Sequence, residues 1–170
     1  LLLLDRIEHA ITKVVRHKMV GGLIFIDLDN FKEVNDTLGH DIGDALLIMV
    51  AKKIKEVIRD EDTLARIGGD EFIIVIEDLI EEKDIEKIAN KILNDFKESI
   101  KLEEYLFDTT ISMGISIFPN NGLNAEDLIK QADTAMYSAK NAGRNQYQFY
   151  KDAMTSEIFE KIIMKQEITD

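Results

Sequence analysis

The sequence predicts an α/β fold, a mixed central β-sheet flanked by helices, and three observations predict it. Helical and strand periodicities alternate along the chain. Leu23–Ile26 is a short continuous apolar run, as expected of a strand buried on both faces. Two further apolar runs are separated only by Gly68, Gly69 and Asp70, which reads as a β-hairpin and gives the sheet an antiparallel connection.

The elements follow in order. Residues 2–18 carry Leu4, Ile7, Ala10, Ile11, Val14 and Val15 at helical spacing, and Gly21-Gly22 is expected to end that helix. The run Leu23–Ile26 leads into Asp27-Leu28-Asp29. A short helix is expected over residues 30–37. A longer one over 42–59 has a broad apolar stripe of Leu46, Leu47, Val50, Ala51, Ile54, Val57 and Ile58. Residues 63–67 and 71–76 are the hairpin strands. Residues 81–100 are acidic but keep Ile85, Ile88, Ala89, Ile92 and Phe96 at helical spacing. Residues 109–118 alternate, with Ile111, Met113, Ile115 and Ile117 on one face and Ser112, Gly114 and Ser116 on the other, so the strand has one bulky and one small face. Asn124 is an N-cap for a helix through Leu128, Ala132, Ala135, Met136 and Ala139, and Gly143 fits its C′ position. Residues 146–150 are a last strand.

Composition narrows the function. The 170 residues amount to one domain, with 45% hydrophobic residues and hence a real core. A net charge of −12 argues against nucleic-acid binding, which needs a basic surface. An anionic substrate would need a metal ion or a local basic patch. The absence of cysteine excludes disulfides, thiolate metal sites and cysteine nucleophiles. No apolar run approaches the ~20 residues of a membrane span, and Leu1–Leu4 is broken by Asp5 and Arg6, so a cytoplasmic domain is expected.

Four clusters carry candidate chemistry. Asp27 and Asp29 share a face at the carboxyl end of the first strand, where open α/β sheets bind ligands. Asp29 suits a cap for the following helix equally well. That helix offers backbone N–H groups around Phe31 and Lys32 to phosphate oxygens. The hairpin tip, Gly68-Gly69-Asp70-Glu71, combines room for close backbone approach with two carboxylates. Carboxylates facing one another from two elements suit Mg²⁺ that also keeps water and phosphate ligands. Asn35 and Asp44 flank Gly39-His40. They could read a guanine edge, Asp accepting from N1–H and the exocyclic amine, or serve as a helix end and a cap. His40 reads as a turn or packing residue. Lys140 and Arg144 end the last core helix, where the dipole favours cations and distal phosphates would also fit.

Arg66-Ile-Gly-Gly-Asp-Glu-Phe72 resembles the signature of the GGDEF family, the diguanylate cyclases. Phe25–Lys32, Asn35–Asp44, Ser112–Ser116, Ala132–Lys140 and Gly143–Asn145 are similar to family blocks in the family's order, so the resemblance covers residues 1–150. It implies a nucleotidyl-cyclase-like palm that condenses two GTP into cyclic di-GMP and two pyrophosphates across a homodimer, with Mg²⁺ or Mn²⁺. Asp27, the Leu28 carbonyl, Asp70 and Glu71 would hold metal, and Glu71 would act there or on the 3′-hydroxyl proton. Asn35 and Asp44 would read guanine. Lys140, Arg144 and the backbone at Phe31 and Lys32 would hold phosphates, beside Gly68 and Gly69. Arg59-Asp-Glu-Asp62 resembles the family's Arg-x-x-Asp product-inhibition motif, and Lys91 aligns where some members place a second arginine. Arginine's planar fork is lost there. The family's opening Asp-x-Leu-Thr-Gly-Leu-x-Asn-Arg stretch would precede residue 1. Residues 151–170 resemble a helical connector to an EAL phosphodiesterase domain, so a linked sensor or EAL domain is expected, and the domain could be the cytoplasmic part of a membrane-anchored sensor. The rival readings are a catalytically silent module binding GTP or cyclic di-GMP, and a Mg²⁺-dependent cyclase or nucleotidyl transferase using ATP.

Overall fold

In chain order the elements are α1 (Leu2–His17), β1 (Val20–Leu28), α2 (Phe31–Leu38), α3 (His40–Val57), β2 (Thr63–Gly68), β3 (Glu71–Leu79), α4 (Glu82–Asp95), β4 (Ile100–Leu102), β5 (Tyr105–Phe107), β6 (Ile111–Phe118), α5 (Ala125–Asn141) and β7 (Gln146–Phe149). The computed structural model describes residues 2–155. Residues 152–155 are helical, and residues 156–170 of the expected connector lie outside the described residues.

Five strands form one sheet in the order β2-β3-β1-β6-β7, and β4 and β5 form a separate hairpin. β1 is central and pairs antiparallel with β3 and with β6, β2 pairs antiparallel with β3, and β7 runs parallel to β6. The sheet is therefore mixed, with helices on both faces, as predicted. Ile24, Ile26 and Leu28 of β1 join Leu46, Val50, Ile54, Ile85, Ala89 and Ile92 of α3 and α4 in one core cluster. Leu23 and Phe25, on the opposite face, join Ile7, Ala10, Val14, Leu128, Ala132 and Met136 of α1 and α5 in another. Each buried Ile or Leu contributes roughly 1.5–3 kcal/mol by leaving water, so burial on both faces is what holds β1 in place. Asp27 continues the phase of Leu23 and Phe25 and emerges on the α1–α5 side.

The two-faced strand works as its alternation implies. The bulky residues of β6 enter the α3–α4 core. Its small residues let α5 approach closely: Ser116 Oγ donates to the Leu128 carbonyl at 2.8 Å. A Cβ on Gly114 would lie 2.0 Å from the Ala132 carbonyl oxygen. Asn124 caps α5, its side chain accepting from the Asp127 N–H at 3.0 Å. At the other end Gly143 has φ 120°, its N–H donates to the Lys140 carbonyl, and the Arg144 N–H donates to the Ala139 carbonyl, the paired bonds of a Schellman cap.

Three expectations change. Gly21-Gly22 does not end α1. Lys18 does, at φ 55°, with the Met19 N–H reaching back to the Val14 carbonyl. The glycines lie inside β1, where a Cβ on Gly21 would meet the Phe118 ring at 2.3 Å and one on Gly22 would meet Ile85 at 2.6 Å. The helix expected over 81–100 stops at Asp95, and Ile100 begins the β4–β5 hairpin, whose strands are too short to show a periodicity. α3 begins at His40, directly after Gly39.

Candidate functional site

The end of β1 gathers the first two clusters. In the sheet, Asp27 lies opposite Glu71 on one side and Ser112 on the other. The Leu28 N–H donates to the Asp70 carbonyl at 3.3 Å, tying the hairpin tip to β1. Asp27 is buried, with one carboxylate oxygen against the Lys140 ammonium and the other, Oδ1, buried without a partner. Burial pushes its carboxyl up to about 7; Asp70 beside it adds to the rise and Lys140 opposes it. Burial also raises Glu71, and Asp133 and Asp70 raise it further.

Arg66 Nε donates to the Gly69 carbonyl at 3.0 Å and braces the tip. Neither Gly68 nor Gly69 has a positive φ. A Cβ on Gly69 would meet no protein atom within 4 Å, so this chain's own packing does not demand glycine there. The tip is open on the side away from the sheet.

Asn35 and Asp44 come from the packed pair α2 and α3. The Asn35 Oδ1 is buried without a hydrogen-bond partner, and a Cβ on Gly43 would sit 1.8 Å from it. Gly43 thus makes the room for the amide, and Asp44, the next residue, is exposed. Phe31 is buried while Lys32 is exposed at the first turn of α2. Asn30, in left-handed conformation at φ 63°, is the N-cap of α2, and its side chain makes no cap bond.

The second aspartate does not cap. Asp29 accepts from Ser112 Oγ at 2.7 Å, from Thr110 Oγ1 at 2.7 Å and from the Asn145 N–H at 3.1 Å. Arg144 stands 3.8 Å from it and is otherwise half exposed. Lys140 and Arg144 therefore reach the same end of β1, each beside a different aspartate.

Arg59 and Asp62 meet at a separate place. Arg59 Nε and NH2 donate to the two carboxylate oxygens of Asp62 at 3.2 and 3.0 Å, and NH2 also donates to the Glu77 carbonyl. They line a cavity of about 380 Å³ with Lys55, Ile58, Asp60, Thr63 and Leu64. Lys91 is exposed on α4 and is not in that lining.

Two residues escaped the sequence reading. Asp133 acts electrostatically on Glu71; its signal was its place seven residues before Lys140, two turns along one helix face. Asn145 enters through its backbone N–H, which no side-chain pattern announces.

The donors at the end of β1 are hard oxygens, and the orphaned Asp27 Oδ1 asks for a cation or a donor, so the residues fit Mg²⁺ or Mn²⁺. Among the described residues no three His, Asp or Glu side chains converge to ligating distance. Such an ion would complete its shell from the backbone, water and phosphate.

The comparisons agree with the geometry. The family model described as "Diguanylate cyclase, GGDEF domain" matches residues 1–146. The chain is 39% identical, over 95% of its length, to the bifunctional diguanylate cyclase/cyclic di-GMP phosphodiesterase MucR of Pseudomonas aeruginosa, and covers 24% of that protein. It is 38% identical, over 86% of its length, to the cyclic di-GMP phosphodiesterase NbdA of the same organism, and covers 19% of it. Among solved structures, the GGDEF domain of TpbB from Pseudomonas aeruginosa superposes with a TM-score of 0.86 at 32% identity, covering 88% of this chain and 94% of that one. The chain thus spans about a quarter or less of the two curated relatives.

Proposed function

The chain belongs to the GGDEF family of diguanylate cyclase domains, and from that premise we propose that it condenses two GTP into cyclic di-GMP and two pyrophosphates. One observation carries the reading: Asp27 is buried beside Asp70, in register with Glu71, with an unpartnered carboxylate oxygen at the open end of β1.

Two copies of the domain face one another with one GTP each, and the 3′-hydroxyl of each nucleotide attacks the α-phosphate of the other. Asp27, Asp70, Glu71 and the Leu28 carbonyl would hold Mg²⁺ or Mn²⁺. When bound, the cation offsets phosphate charge and lowers the pKa of the attacking hydroxyl. The rest is positioning and electrostatics, which dominate phosphoryl transfer. Glu71, whose carboxyl is raised by burial and by Asp133 and Asp70, would act either at the metal or on the 3′-hydroxyl proton. Lys140, Arg144 and the uncapped first turn of α2 at Phe31 and Lys32 hold the phosphates, and give an acidic protein its local positive field. The orphaned Asn35 Oδ1 accepts from the base, and Asp44 takes guanine's N1–H and amine. Gly68 and Gly69 leave the hairpin tip bare where nucleotide and partner domain meet. At the Arg59–Asp62 cavity, cyclic di-GMP binds as product inhibitor.

The test is direct. Concentrated protein is incubated with GTP and Mg²⁺ and the nucleotides are separated by chromatography. A cyclic di-GMP peak supports the reading. GTP bound without turnover points to the second reading, a silent GTP- or cyclic di-GMP-binding module in a longer protein. That reading draws on the short coverage of NbdA, a relative named as a phosphodiesterase.

A further inference from the structure

Asp29 is neither ligand nor cap in the scheme above, yet it is among the most completely bonded groups in the molecule. Its side chain is 1% exposed. Burying a carboxylate costs several kcal/mol unless its oxygens are satisfied. Here Oδ1 accepts from Ser112 Oγ, and Oδ2 accepts from both Thr110 Oγ1 and the Asn145 N–H. The Arg144 guanidinium lies 3.8 Å from Oδ1. The donors come from two segments, the start of β6 and the turn after α5.

That turn is unusual. Gly143 (φ 120°), Arg144 (φ 64°) and Asn145 (φ 50°) are three consecutive residues in left-handed conformation. Glycine accepts this freely and asparagine with little cost, but arginine there is disfavoured by roughly 1–2 kcal/mol. The conformation persists because both ends are held. The Schellman bonds fix Gly143 and Arg144 to α5, and Asp29 takes the Asn145 N–H just before β7 begins.

We infer that Asp29 is a positioning residue: its buried carboxylate clamps the Gly143–Asn145 turn to the end of β1, so that the Arg144 guanidinium stands fixed beside Asp29, at the same end of β1 as Asp27 and Lys140, for the distal phosphates of the nucleotide. The inference rests on the reading of Arg144 as a phosphate contact. The chemistry of the clamp is specific. Every group facing Asp29 is a donor or a rotatable hydroxyl, so an amide in its place would aim an N–H₂ at the Asn145 N–H or at the guanidinium.

A double-mutant cycle tests it. Asp29→Asn, Arg144→Ala and the double variant are compared in binding of a fluorescent GTP analogue, in KM and kcat, and in Tm. The expected result is a weakening of nucleotide binding by about tenfold in Asp29→Asn, the scale of one charge-assisted contact, seen in KM more than in kcat. The double variant should bind no worse than Arg144→Ala alone, because nothing remains to be positioned. Losses that multiply, or a lowered Tm with unchanged nucleotide affinity, overturn the inference. Should Asp29→Asn not fold, Thr110→Val removes one donor and keeps the charge; a smaller loss in the same direction supports the clamp, and unchanged affinity overturns it. A parent protein that binds no GTP analogue refutes the proposed function instead. Amide exchange at Asn145 then decides the clamp: about tenfold faster exchange in Thr110→Val upholds it, and unchanged exchange overturns it.

Discussion

Asp27 has the environment of a group shaped for charge that arrives from outside. Its carboxyl is raised from 3.8 to about 7. A raised acid favours folding below its unfolded value and loses that contribution as the pH climbs through the folded value. Between about pH 4 and 7 the unfolded chain ionises Asp27 while the native one resists, so the stability supplied by this site falls across that window. Asp27→Asn should therefore raise the Tm of protein in EDTA at about pH 8, the gap closing toward pH 4, while abolishing turnover. Thermal melts across that range check the sign; an equal or lower Tm at pH 8 contradicts it. Glu71→Gln should remove turnover by at least about 100-fold, the scale of a lost acid–base group, with Tm nearly unchanged because Glu71 is half-exposed at a hairpin end. Activity assayed beside a melt separates the two. Arg59→Ala should leave initial rates intact and relieve slowing by accumulated cyclic di-GMP, read from progress curves with added product.

At the level of elements, the contact between α5 and β6 positions Lys140 and Arg144. Lys140 reaches Asp27 only because α5 lies against the small face of β6, with its backbone at Gly114. Gly114→Ala puts a methyl into the Ala132 carbonyl and should cost about 1–3 kcal/mol by overpacking. The same displacement should weaken GTP binding beyond what the lost stability explains; denaturant melts and nucleotide titration measure both. This face was legible in the sequence, since Ser112, Gly114 and Ser116 alternate with Ile111, Met113 and Ile115. So were the Asn124 cap and the Gly143 stop, where one residue's chemistry decides the geometry. The end of α1 was not legible. Glycine is the usual stop, but Lys18 took the left-handed position and left Gly21 and Gly22 for tight packing inside β1. The β4–β5 hairpin was hidden because three-residue strands carry no period.

Across the whole molecule, the sequence showed the sheet's composition but not its strand order, because register and neighbours are set by contacts far apart in the chain. It also pointed to Asp27, Asp70 and Glu71 by residue type at a strand end and a turn, and the structure brings these elements together. It could not show that Asp29 binds a distant backbone N–H, or that Asp133 acts on Glu71, since both relations exist only in space. A net charge of −12 makes two such domains repel. If turnover needs a pair, specific activity should rise with protein concentration at low salt and rise less steeply as salt screens the repulsion. Activity measured over a dilution series, beside the molar mass in solution, reports it; a flat specific activity argues for one domain acting alone.

The central place of β1 has a consequence during synthesis. It is made before every other strand of this sheet, and both its neighbours, β3 and β6, follow much later. Throughout that interval Leu23–Ile26 is an apolar segment with both edges unpaired, covered at most by α1 on one face and α3 on the other. The nascent chain should bind holding chaperones at this segment until Ser112–Phe118 emerges, and slower translation between β3 and β6 should lengthen its exposure to aggregation.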